Sequence, residues 1–340
     1  MSNLQLPLGF DAAEPAVTPQ ARPKRTPKET RSPAPKSAAV PDVQAMATTL
    51  EQHPDYRVLR RLVPIFNFEG SAQGPLVRVV VLDTETTGLD HSRDKIIELA
   101  MLRVDVDTAT GLPVGEVLVY DALEDPGLSI SKEIEAITGI TTAMVRGHRL
   151  DETRIAAVLA GVDLVLAHNA SFDRPFCEAR IPAFARLPWG CSLAEIDWKK
   201  EGHGSAKLQC LALDGGWFYD AHRAEVDCHA LLAVLAQTLP SSGQSGLAKL
   251  IAASRRPSYR LQANQAPFEA KDLLKARAYR WNAEQKVWHT RLDDEACVVA
   301  ELEWLKATVY AGRAARVQVE QLDARVKYSS RCGELAMRQI

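Results

Sequence analysis

The sequence predicts an α/β protein. Its core is a mixed sheet whose first three strands run antiparallel, flanked by helices; a small C-terminal α+β module follows, and a disordered N-terminal tail precedes it. Three observations lead there. Between Leu76 and about Leu239, three strand-like runs with short connections are succeeded by helical segments, and a fourth buried strand, DLVLA (Asp163 to Ala167), feeds a helix. Beyond PSSGQSG (Pro240 to Gly246), strands and helices resume on a smaller scale to about Gln321. Residues 11–41 are rich in Pro, Ala, Lys, Arg and Thr with almost no large apolar side chains, too few to offset the entropy of ordering the chain.

At 340 residues there is room for one sizeable core, a smaller module and tails. The formal net charge of −2 neither demands nor forbids a nucleic-acid partner, because local patches and bound cations decide that. The six cysteines form no CxxC pair and no disulfide-like spacing, which suits a reduced, cytoplasmic compartment. No signal-like segment and no apolar run of about 18 residues is present, so no membrane is expected as a partner. Walker A and GxGxxG loops are both missing.

In chain order, residues 1–10 form an apolar peptide and 11–41 the linker. Residues 42–69 are a helical extension, read from Tyr56, Leu59 and Val63 at helical spacing before Pro64. Residues 70–240 form the main domain, with strands near Val77 to Asp83, Ile96 to Val106 and Gly115 to Asp121. Its helices fall near Lys132 to Ile137, Asp151 to Ala160, from Ser171 onward, and Glu225 to Leu239. Residues 241–257 are a linker by composition, 258–325 the accessory module and 326–340 a tail.

The stretch VVVLDTETTGLD ends an apolar strand in Asp83 and Glu85, which at i and i+2 point to one face. Two carboxylates there repel, and a divalent cation with its preference for oxygen ligands resolves the conflict. A solvated turn explains DTE alone equally well. Asp173, in LVLAHNASFDRPF, opens a helix in which Pro175 is tolerated, and helix-dipole complementarity alone accounts for an acid there. Asp227, in AHRAEVDCHALLAVL, shares a stripe with Leu231, Val234 and Leu235 and so needs a partner. His222 lies in the loop before that helix; taken alone it is a surface histidine.

Together, DxE, HNxxFD and HxxxxD in this order resemble the DEDDh-type 3′-5′ exonuclease family. Its best-known members include the epsilon proofreading subunit of bacterial DNA polymerase III, oligoribonuclease and ribonuclease T. The likeness covers about Val77 to Leu239, ITGIT (Ile137 to Thr141) included. It implies a ribonuclease H-like exonuclease domain in which Asp83, Glu85, Asp173 and Asp227 hold two divalent cations, Mg²⁺ or Mn²⁺, with His222 as general base. Asp83, Glu85 and Asp227 then serve an inner ion, and Asp83 and Asp173 an outer one. It also places Thr87, Gly88 and Leu89 beside the terminal nucleotide, and His168, Asn169 and Phe172 on the substrate side. For His168 and Phe172, capping and core packing are equally good explanations.

The implied reaction is hydrolysis at DNA 3′ ends to nucleoside 5′-monophosphates, in repair or proofreading, on single-stranded DNA or 3′ termini. An exoribonuclease of the oligoribonuclease or ribonuclease T type is the alternative. At the N-terminus, Gln5, Leu6, Leu8 and Phe10 resemble the QLxLxF peptide that binds the bacterial sliding clamp. A linker of roughly 30 residues spans about 30 Å, enough to tether a nuclease. A clamp adaptor with secondary nuclease activity is a third reading, and a tail with chance leucines the plainest one. In the accessory module, Tyr279, Trp281 and Trp288 lie among basic residues; a small aromatic core with a solvated basic face is preferred over strand stacking.

Overall fold

A computed structural model describes residues 42–340, in two compact units divided between Tyr56 and Arg57. The clamp-like residues Gln5, Leu6, Leu8 and Phe10 lie outside the described residues. The first unit contributes one helix, Val43–Glu51, capped by Asp42, whose carboxylate accepts from the amides of Gln44 and Ala45. The expected helical extension over 42–69 is thus much shorter. Pro54 disfavours helical backbone at His53, and further on Arg60–Arg61 instead pairs in parallel with Trp217–Phe218.

In the second unit six strands make one sheet: β1 (Asn67–Phe68), β2 (Leu76–Thr86), β3 (Ile96–Asp107), β4 (Leu112–Leu123), β5 (Leu164–Ala167) and β6 (Trp189–Cys191), in spatial order β1-β4-β3-β2-β5-β6. The β2-β3-β4 meander is antiparallel, and β5 and β6 add in parallel. Alternation along β2 divides the core. Val77, Val79 and Val81 pack with Leu231 and Leu235 of helix Ala224–Ala236, whereas Val80 and Leu82 pack with Phe176 and Cys177 of helix Ala170–Arg180. Each face is therefore covered by a helix that carries one of the distant acids.

Residues 241–257 are not a linker. Helix Gly246–Ser254, capped by Ser245, buries Leu247, Leu250 and Ile251 in the same cluster as Val79 and Leu231. Buried Glu201 pairs with Lys249 on this helix and accepts from the amides of Ser241 and Ser242; the Lys249 ammonium beside it, foremost, pulls its carboxyl down to about 2. A depressed carboxyl contributes stability above its unfolded value near ~4.5, lost as pH falls toward about 2. Glu201→Gln is therefore expected to lower the melting temperature near neutrality and to flatten its acid dependence over that window, measured by thermal scans from about pH 2 to 7.

The accessory module is a five-stranded antiparallel sheet of β7 (Ser258–Ala263), β8 (Arg280–Asn282), β9 (Val287–Leu292), β10 (Arg316–Leu322) and β11 (Glu334–Gln339), ordered β8-β9-β7-β10-β11. Residues 326–340 are thus no free tail, because β11 pairs with β10 over six residue pairs. Tyr279 is buried in the module core and Trp288 packs against it, but Trp281 is half exposed. No helix among the described residues is long and apolar enough to cross a membrane.

Candidate active site

Asp83 and Glu85 continue the face of β2 that Val79 and Val81 bury, so strand alternation alone aims both acids at the end of helix Ala224–Ala236. A register shift between Glu85 and Thr86 marks the point where regular pairing breaks. Across the ladder Asp83 lies opposite Ala100, and Glu85 opposite another acid, Glu98. Glu98 is neutralised by a guanidinium fork: Arg223 donates through Nε at 3.0 Å and Nη2 at 2.6 Å, and the amide of Ala224 adds a bond at 2.8 Å. Glu98 thereby fixes the first turn of the helix that carries Asp227.

Asp227 is held in turn by its own approach loop. Its Oδ2 accepts from the amides of His222 (2.8 Å) and Arg223 (3.3 Å), and its Oδ1 from the hydroxyl of Tyr219 (3.0 Å). Folding the loop back requires His222 to adopt φ of 69°, a left-handed conformation uncommon outside glycine, and it leaves His222 exposed. One carboxylate oxygen from each of Asp83, Glu85 and Asp227 lies within 4.8 Å of the others.

Asp173 is not one of that trio. It sits on helix Ala170–Arg180, 2% exposed, and its Oδ1 accepts from the amide (3.2 Å) and hydroxyl (2.8 Å) of Thr84, which faces the opposite side of β2 from Asp83 and Glu85. Its charge nevertheless reaches Asp83. Pro175 is the sixth residue of the helix, where it has no amide to donate to the carbonyl of Ser171.

The electrostatics follow from crowding like charges in a part-buried place. Burial, then the charges of Asp173, Asp227 and Glu85, pushes Asp83 well above the usual carboxylate range. Burial, then Asp227 and Glu98, pushes Glu85 up to about 8. Burial also raises Asp227 and Asp173, each opposed by the hydrogen bonds just described. Arg223, the cation whose charge reaches Glu85, is taken by Glu98. Three hard oxygen donors with mutual repulsion and no cation of their own form a donor set that fits a divalent ion such as Mg²⁺ or Mn²⁺.

The remaining candidates line two nearby segments. The Thr87 hydroxyl donates to Asp94 at 3.2 Å, and a Cβ on Gly88 would meet the Asp94 carboxylate at 2.5 Å, so a larger residue there would have to displace that side chain. Leu89 projects 86% exposed. His168 pairs its Nδ1 with the Ser192 hydroxyl at 2.8 Å, and burial pushes its imidazole down to about 4. Asn169 opens the Asp173 helix at φ of 76° and accepts from the Ser171 hydroxyl, while Phe172 packs on Phe176 with ring centroids 5.1 Å apart. Sequence reasoning missed Thr84, Asp94, Glu98, Tyr219 and Arg223. Glu98 was detectable as an acid inside the apolar run IIELAML; Thr84 and Arg223 act through long-range pairs, and Asp94 and Tyr219 through irregular loop contacts, neither of which leaves a periodic pattern.

A mixed sheet flanked by helices, with acids gathered at the end of its central strand, defines a ribonuclease H-like exonuclease domain. Residues 80–235 match the family model described as Exonuclease. Among curated relatives, the PolC-type DNA polymerase III of Thermotoga maritima is 31% identical over 179 residues, 50% of this chain and 12% of that protein. The DNA polymerase III subunit epsilon of Treponema pallidum is 27% identical over 169 residues, 46% of this chain and 74% of that protein. A solved structure of Exonuclease X in complex with 5′ overhanging duplex DNA shares 24% identity at a TM-score of 0.36, covering 50% of this chain and 99% of that one. The chain thus spans about an eighth of its PolC-type relative.

Proposed function

We propose that this chain is a divalent-metal-dependent 3′-to-5′ exonuclease that hydrolyses the terminal phosphodiester bond of DNA and releases nucleoside 5′-monophosphates, in repair or proofreading. What carries the reading is the convergence of Asp83, Glu85 and Asp227, from two sequence-distant elements, within a stretch that matches the Exonuclease family model. Asp83, Glu85 and Asp227 would hold an inner Mg²⁺ or Mn²⁺, and Asp83 with Asp173 an outer one. Bound cations there would lower the pKa of water and offset charge on the phosphoryl oxygens. His222, exposed on its strained turn five residues from Asp227, takes the proton of the attacking water. Tyr219 keeps the Asp227 carboxylate oriented. Thr87, Gly88 and Leu89 receive the terminal nucleotide, with Leu89 against its base, and His168, Asn169 and Phe172 border the same nucleotide.

The test is release of 5′-monophosphates from matched single-stranded DNA and RNA oligonucleotides with Mg²⁺, Mn²⁺ or EDTA. DNA cleavage that EDTA stops is expected; preference for RNA would convert the reading to an exoribonuclease, and no hydrolysis of either would end it. Metal binding itself is open to a pH test. Raised carboxyls stabilise the metal-free fold below their unfolded values near ~4–4.5, and that contribution is lost as pH climbs through about 8 for Glu85. Millimolar Mg²⁺, which binds the ionised form, is therefore expected to raise the melting temperature more at about pH 8 than at about pH 6. An equal gain at both would contradict the raised carboxyls.

The N-terminal QLPLGF peptide is proposed to tether the nuclease to a sliding clamp. Removing residues 1–10 is expected to abolish affinity for a bacterial clamp in a titration while hydrolysis of free oligonucleotides continues. Unchanged affinity would remove the tether.

A further inference from the structure

The strand register gives the accessory module a basic face. In β8 and β9, Arg280 pairs with His289; in β9 and β7, Arg291 pairs with Arg260. Directly opposed residues share a face, and His289 and Arg291 are two apart on one strand, so all four side chains project from the same side of the sheet. It is the side away from the module's core, which Leu261 and Val319 line. The acid on this face, Glu320, is paired with Arg260 at 2.8 Å. Arg280 and Arg291 remain exposed. Burial, then the charges of Arg260 and Arg280, holds the His289 imidazole below its usual value, as expected beside converging cations.

This face is one wall of a cleft of about 480 Å³ whose other wall belongs to the nuclease domain. Arg260, His289 and Arg291 meet His91, Ser171 and Pro175 across it. Those nuclease residues are close neighbours of the candidate nucleotide contacts. Ser171 donates its hydroxyl to Asn169, His91 follows Leu89 by two residues, and the His91 ring lies 6.2 Å from Phe176, which packs on Phe172. The wall is also fixed in place. Arg174, next to Asp173, donates to the carbonyls of Ala324, Arg325 and Lys327, and Lys327, 3% exposed, pairs with Glu195 at 2.6 Å.

We infer that this cleft binds the sugar-phosphate backbone of a single nucleic-acid strand upstream of the 3′ terminus, making the accessory module part of the substrate track. The inference rests on the nuclease reading for where the 3′ end lies. The chemistry is that of a polyanion on a guanidinium row, in which Arg291 is oriented by Tyr328: its Nη2 donates to the Tyr328 hydroxyl at 2.9 Å and its guanidinium lies 4.9 Å from the ring.

The test compares Arg280→Gln/Arg291→Gln with the unmodified full-length chain on two substrates: a single-stranded oligothymidylate of about 20 nucleotides, and the p-nitrophenyl ester of thymidine 5′-monophosphate, too short to reach the cleft. The ratio of kcat/KM on the long substrate to that on the short one is expected to fall about tenfold, through KM, with a shallower dependence on salt. In the Asp83→Asn background, fluorescence anisotropy with the labelled strand is expected to show Kd raised by a similar factor. An unchanged ratio with unchanged Kd overturns the inference, as does an equal loss on both substrates through kcat. Should the double variant fold poorly by circular dichroism, Arg291→Gln alone, at a position that lines the cleft, decides by the same ratio. If the unmodified chain hydrolyses neither substrate, the nuclease reading fails and the Kd comparison alone judges the cleft: a rise upholds strand binding, no change ends it.

Discussion

Replacing Asp83 by Asn is expected to reduce hydrolysis by roughly 10²–10³-fold or more, the cost of removing one preorganised electrostatic group from a reacting centre. The same change is expected to make the metal-free protein more stable. Asp83 is the acid toward which the charges of Asp173, Asp227 and Glu85 all point, and its burial already disfavours ionisation. A neutral amide of the same shape removes that repulsion. Relief of about 1 kcal/mol would raise the melting temperature by roughly 2–4 °C for a domain of this size. Thermal scans in EDTA and in Mg²⁺ separate the two effects: the variant should melt higher than the parent in EDTA and gain less from Mg²⁺. A variant that hydrolyses DNA at the parental rate, or that loses its fold, would show that Asp83 is a structural acid and not a site for cations.

The acids of the site and the groups that support them differ in how legible they are in the sequence. Asp83 and Glu85 are legible because the strand period is local: four apolar residues set the register, and the acids inherit its faces. Asp227 is legible through its position on an apolar helical stripe. What makes these acids tolerable is not local. Tyr219 reaches Asp227 across a loop, Thr84 reaches Asp173 between two elements, and the Arg223 fork on Glu98 spans 125 residues. Each contact is one to three hydrogen bonds, and none leaves a period in the chain.

The fold was legible in the same measure. The antiparallel meander and the buried fourth strand follow from hydrophobic runs and short turns. Helix Gly246–Ser254 was hidden behind PSSGQSG, whose turn composition extends to the capping Ser245, although Leu247, Leu250 and Ile251 carry helical spacing. Strand β11 has every residue exposed, so ELAMRQ buries no apolar face, and the edge of β10 with the Arg338–Glu295 ion pair selects its conformation. The segment after Pro54 shows the same dependence. Its Arg60–Arg61 ladder exists because Trp217–Phe218 presents a partner edge.

Arg174→Met is expected to destabilise the second unit by about 3–5 kcal/mol, the cost of breaking a buried charged network from one side. The Arg174 side chain is completely buried, within a turn of Glu178, whose carboxylate it meets at 2.7 Å, and 5.5 Å from the Trp189 ring centroid. Its remaining donors go to the carbonyls of Ala324, Arg325, Lys327 and Leu187, so one guanidinium clasps the segment before β11 onto the helix that carries Asp173. Methionine fills much of the volume but takes the guanidinium donors from the Lys327 and Leu187 carbonyls, leaves those of Ala324 and Arg325 with the Trp189 amide and Arg331, and leaves Glu178 with only Arg331 and Ser329. Lysine cannot substitute, because three rotatable donors on one nitrogen do not reproduce a planar fork. Urea denaturation measures the loss, and limited proteolysis locates it: residues 323–340 should be cleaved first in the variant. If Asp173 depends on this clasp for its position against Thr84, hydrolysis of long strands should fall even at temperatures where the variant remains folded. A midpoint within about 0.5 kcal/mol of the parent would mean that the carbonyls find water on losing Arg174, and that the module is held by Lys327 and Glu195 instead.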